Sequence, residues 1–231
     1  MDLSVIVILL TGLALGLAHS FDPDHIVAVS TLLCNSKSIR KSVSSATVWG
    51  VGHSAVLFLV GVFVLILRVE IPQNVVNLFD GAAGVLLIVL GIYVIVPLIM
   101  SRAKLHSEVE KEHSHIHQHD HSYHDHKHTH SENGHSHIHK SAITGALQGL
   151  GGSAALMLVT LTTVSSVITG LAFIFIFGVG VIAGMIGIAC VVGSIMAYTA
   201  SNLEKVHKII KSITGTISII FGIYIIVNIL I

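Results

Sequence analysis

Cysteine is almost missing from this chain of 231 residues: Cys34 and Cys190 are two lone thiols far apart, with no CxxC spacing anywhere. Such a pair builds neither a disulfide framework nor a zinc knuckle. Charge is scarce too, at 10% of residues against 53% hydrophobic, and twelve Lys and Arg balance twelve Asp and Glu. With no net charge there is no basic field for nucleic acid or acidic substrates, and the meaning lies in where charges sit. The N-terminal apolar stretch has no basic region before it and no small-residue cleavage site before Asp22, Pro23 and Asp24. It reads as a membrane span instead of a secretory signal.

What the chain does have is long apolar runs. A helix needs about 20 apolar residues to cross the hydrocarbon core of a bilayer, and six segments qualify: 3–18, 43–67, 75–100, 142–164, 167–200 and 208–231. The expected fold is all-α, a polytopic membrane protein with six transmembrane helices. Lys37, Arg40 and Lys41, the segment 101–140, and Lys205, Lys208 and Lys211 fall in loops on one side. The positive-inside rule makes that side the cytoplasm and puts both termini, Val69–Gln73 and Thr162–Ser166 outside a cell membrane.

The halves look related. Gly84-Val-Leu-Leu-Ile-Val-Leu-Gly91-Ile-Tyr93 lies over Gly215-Thr-Ile-Ser-Ile-Ile-Phe-Gly222-Ile-Tyr224, and Gly12-Leu-Ala-Leu-Gly16-Leu-Ala-His19-Ser20 over Gly145-Ala-Leu-Gln148-Gly149-Leu-Gly-Gly152-Ser153. Counting Gly50-Val-Gly52 over Gly178-Val-Gly180, the offsets run between 128 and 133. An odd number of helices per unit turns the second unit upside down, so the reading is two inverted three-helix repeats, 1–100 and 141–231. Between them, residues 101–140 form a low-complexity cytoplasmic loop holding thirteen of the seventeen histidines. Its His-x-His alternation, as in His113, His115, His117, His119 and His121, offers many weak metal sites for buffering or sensing, or is a solvated linker with incidental affinity.

The most polar stretch in the spans is His19-Ser-Phe-Asp22-Pro23-Asp24-His25. Ionisable groups at membrane depth cost several kcal/mol unless paired, hydrated or bound to an ion, which marks them as functional. Pro23 cannot donate a backbone hydrogen bond and clashes with the carbonyl of His19, so the helix is expected to break or kink there. His19, Asp22 and His25 share a face of a continuous helix, and the break lets Asp24 swing toward them. The bland reading is an interfacial loop in which Asp22 and Asp24 cap the next helix. In Gly50-Val-Gly52-His53-Ser54, small residues permit close helix approach and place an imidazole inside the second span. His53 either completes the site or is a buried histidine bonded to a neighbour. Imidazole nitrogen with carboxylate oxygen suits nickel, cobalt or zinc, and the missing thiols disfavour copper(I). Neither H-E-x-x-H nor a Glu near the cluster is present, so the general base of an intramembrane zinc hydrolase is lacking and no enzyme is expected.

These residues resemble the nickel/cobalt permeases often called NiCoT, within the wider nickel/cobalt transporter superfamily, whose signature is H-x4-D-H in a transmembrane helix. His19, Asp24 and His25 occupy that signature, HSFDPDHI looks like the family's HAxDADHI, and Gly52-His53-Ser54 looks like its second element. The resemblance, best over residues 12–60, implies that His19, Asp24 and His25 bind the ion with Asp22 and His53 supporting. Leu150-Gly151-Gly152-Ser153-Ala154-Ala155-Leu156 lacks the carboxylates of the family's L-G-x-D-T-A-T-E element. With six spans instead of eight, the chain is similar to the shorter, NicO-like members of urease-accessory type.

The expected function is transport of Ni2+ or Co2+ as substrate, with no cofactor, taken up through the broken first helix while the repeats rock. Efflux by the same site is the alternative, and a membrane metal sensor working through the His-rich loop is the rival from another class. Expected partners are the divalent ion and the bilayer, with room for a homo-oligomer and a cytoplasmic metal chaperone.

Overall fold

Proline decides the first feature. The computed structural model, which describes residues 3–68, 71–109, 134–151 and 166–231, ends α1 (Leu3–His19) just before the Pro-containing segment and starts α2 (Pro23–Leu33) on Pro23. At the first helical position the missing N–H costs nothing and the fixed φ suits a helix, so the break falls upstream of the ring. The two axes meet at 57°. Asp22 occupies the N-cap position of α2, yet its side chain makes no capping bond.

The remaining described helices are α3 (Ile39–Leu67), α4 (Gln73–Val109), α5 (Gly134–Gln148), α6 (Val167–Asn202) and α7 (Glu204–Leu230). No strand occurs among the described residues, so the all-α expectation holds. Ile39–Leu67, Gln73–Met100, Val167–Asn202 and Glu204–Leu230 are long and apolar enough to cross a bilayer, and the bent α1–α2 pair makes a fifth if counted as one span. The expected sixth, 142–164, begins within α5, but from residue 152 it lies outside the described residues. The same is true of the His-rich tract over 110–133 and of the expected outer loop Thr162–Ser166 up to residue 165. Helices α4 and α5 reach into the 101–140 segment from both sides, to Val109 and from Gly134.

Helix packing rests on small residues. Helix α1 packs on α6, α3 on both α6 and α5, and α4 on α7. Gly84 and Gly91 of α4 lie against the backbones of Gly222 and Gly215 of α7. Gly145 of α5 and Gly149 just past its end lie against the main chain of Trp49 and His53 in α3, where a Cβ would collide with the carbonyls. Backbones that approach this closely gain dispersion contacts that lipid does not supply. Leu59, Phe63, Leu78, Ile168 and Phe175 point outward and exposed, an apolar exterior that suits lipid and not water. Inside, Trp49, Leu57, Phe173, Phe177, Val181 and Met185 form one core between α3 and α6.

Candidate metal centre

Breaking the helix at residues 20–22 folds the end of α1 onto the start of α2. His19 closes α1 and His25 sits in the first turn of α2, and their Nε2 atoms face each other at 3.1 Å. Both are buried. His53 reaches them from the middle of α3, its ring 5.4 Å from His19 and 4.8 Å from His25 between centroids. Each of the three rings offers one nitrogen within 4.8 Å of the other two.

The carboxylates meet these rings on the opposite edge. Asp22 Oδ2 lies 2.6 Å from His19 Nδ1 and Asp24 Oδ2 lies 2.8 Å from His25 Nδ1. A carboxylate accepts only from an N–H, so it holds the proton on Nδ1 and leaves the lone pair on Nε2. Two Nε2 lone pairs at 3.1 Å repel one another unless a proton or a cation lies between them. Nitrogens each about 2.0–2.1 Å from a shared ion, at an angle between octahedral and tetrahedral, stand roughly 2.8–3.4 Å apart. The observed spacing falls inside that range.

His53 is the least satisfied group. It is fully buried, and neither Nδ1 nor Nε2 has a hydrogen-bonding partner among the described residues. The Gly145 carbonyl lies near the ring but outside hydrogen-bond geometry. A buried polar atom without a partner costs about 1–3 kcal/mol, and a cation bound at the ring would offset that cost.

All five residues named from the sequence thus gather in one place, in two tiers: three imidazoles converging, and two carboxylates behind two of them. The His-rich tract has no part in it among the described residues. Two neighbours were missed. Trp49 stacks on His53 at 5.0 Å and 14° and meets His25 edge-on at 5.1 Å. Gln148 of α5 bonds Trp49 and the main chain of Asp24. The signals were present: Trp49 is one helical turn before His53, and Gln148 stands where the aligned first half has Leu15, a polar side chain in an apolar run.

Comparison with known proteins gives the family. Residues 5–231 match the NicO family, described as high-affinity nickel-transport protein. The urease accessory protein UreH of Bacillus sp. (strain TB-90) is 32% identical over 96% of this chain and 91% of its own length. A putative nickel/cobalt efflux system of Methanocaldococcus jannaschii is 26% identical, over 93% of this chain and 90% of its own. The nickel transporter NixA of Staphylococcus aureus is 33% identical over 41% of this chain and 31% of its own. No solved structure matches the chain. The chain belongs to the NicO family: a multi-pass membrane transporter of metal ions and not an enzyme, with nickel as transported substrate and not as a cofactor.

Proposed function

We propose that the chain takes up Ni2+ through a site whose ligands are the ring nitrogens of His19, His25 and His53, with Asp22 and Asp24 orienting the first two rings from behind. The observation that carries this reading is the fully buried His53, without a hydrogen-bonding partner among the described residues, facing two imidazoles whose lone pairs already converge. The carboxylate–histidine contacts are of the kind that fix a ligand's tautomer and raise its basicity. This division of labour differs from that implied by the family resemblance, which made Asp24 a ligand and His53 a support.

The arriving ion exchanges water for three nitrogens, which bind it as neutral imidazoles. Release follows when the two halves move against each other. Helix α1 of the first half packs on α6 of the second, while α5 of the second packs on α3 of the first, the same pairing with the halves exchanged. The Gly84–Gly222 and Gly91–Gly215 contacts likewise exchange into one another. Both patterns support inverted repeats over 1–100 and 141–231, six spans, and alternating access about the site. With the basic loops inside, the termini lie outside and the His-rich segment 101–140 is cytoplasmic, placed to pass the ion to a metal chaperone.

A buried three-nitrogen site suits capture of a scarce ion, which favours uptake. Efflux by the same site is the second reading, favoured by the relative named as a nickel/cobalt efflux system. Radiometal flux into sealed vesicles of known orientation, with Co2+ and Zn2+ as competitors, tests both. His19→Ala and His53→Ala should each abolish flux while the protein remains in the membrane. Undiminished flux in both sinks the site, and flux only from the cytoplasmic face reverses the direction.

A further inference from the structure

The amide of Gln148 is buried at 1% exposure among apolar helices, and both of its ends are used. Trp49 Nε1–H donates to its Oε1 at 3.1 Å, and its Nε2–H donates to the main-chain oxygen of Asp24 at 3.2 Å. An indole N–H only donates and a carbonyl only accepts, so one amide orientation satisfies both partners. Gln148 reaches this position because Gly145 in α5 and Gly149 just after it let the end of that helix lie directly on the backbone of Trp49 and His53. Trp49 in turn lies flat on His53 and edge-on to His25.

We propose that Gln148 and Trp49 are positioning residues that hold the His25 and His53 rings, and the first turn of α2, in the geometry that binds the metal ion. The inference rests on reading His19, His25 and His53 as the ligand set. Gln148 ties the backbone of Asp24, next to His25, to the indole that sets the plane of His53. Two rings from different helices are thereby referred to one amide supplied by the C-terminal half of the chain. A movement of α5 would then alter the site directly, through a side chain that never touches the ion. Outer groups that orient metal-bound histidines typically contribute about 10–100-fold in affinity, and this pair orients two rings of three.

Trp49 is the chain's single tryptophan. Its emission therefore responds to a quenching ion held beside it, where His53 and His25 lie. The test titrates the full-length protein in detergent with Ni2+ and follows that emission. Gln148→Met fills the same space without hydrogen bonds and should raise the quenching midpoint about 10–100-fold, whereas a purely space-filling role would leave it unmoved. His53→Ala should raise it at least as far. If Gln148→Met does not fold, Trp49→Phe, which keeps a ring but loses the N–H, is read by KM for Ni2+ flux in proteoliposomes. That KM should rise about tenfold or more, by a larger factor than turnover falls. A parental midpoint in Gln148→Met, or a parental KM in Trp49→Phe, overturns the proposal while leaving the ligand set standing. A parental midpoint in His53→Ala overturns the ligand set and this inference with it.

Discussion

Replacing Asp24 by Asn tests whether the carboxylates orient rings or bind metal. Asp24 Oδ2 is 2.8 Å from His25 Nδ1, the side chain is 28% exposed, and the imidazole it holds is 2% exposed. An asparagine can still turn its Oδ1 to that N–H, which keeps the tautomer and removes only the charge. Loss of such an outer partner costs about 10–100-fold in metal affinity, or about 1.4–2.7 kcal/mol. Because Asn preserves the acceptor, Asp24→Asn belongs at the lower end, about tenfold, and Asp24→Ala near the upper end, about a hundredfold. His25→Ala deletes a nitrogen outright and should exceed both. The assay is the midpoint of Trp49 quenching by Ni2+ in detergent, paired with KM for radiometal flux in proteoliposomes. The reasoning fails if Asp24→Asn binds as poorly as His25→Ala, since the carboxylate oxygen would then be a ligand itself. It fails equally if Asp24→Ala binds like the parent, since the contact would orient nothing.

Three further outcomes follow from the same geometry. At Gly149 an added Cβ would lie 2.6 Å from the His53 carbonyl, well inside the 3.4 Å at which ordinary contact begins. Gly149→Ala should therefore push α5 away, lower stability by about 1–3 kcal/mol in detergent thermal unfolding, and raise the Ni2+ midpoint by drawing Gln148 off Trp49. Because only neutral imidazole binds the ion, apparent Ni2+ affinity should fall as the pH is lowered. A quenching midpoint that does not move as the pH is lowered refutes it. Deleting 106–139 should leave flux intact, since no residue of that tract reaches the site among the described residues. Loss of metal response with the helical core intact would instead favour a sensor.

The membrane character, the position of the broken helix and five of the site's residues were legible in the sequence because each depends on local chemistry. An apolar run excludes water wherever it lies, Pro23 disfavours helix in the turn before it, and His19 through His25 sit within seven residues of one another. The family resemblance was equally local, carried by HSFDPDHI and Gly52-His53-Ser54. Tertiary structure decided how those residues are arranged. Whether His53 bonds a neighbour or faces the cluster depends on how α3 lies against the α1–α2 corner, and which ring nitrogen is free depends on where Asp22 and Asp24 sit behind their partners. Gln148 joins a site begun 124 residues earlier only because glycines bring α5 onto α3, a contact between distant segments that no local pattern encodes.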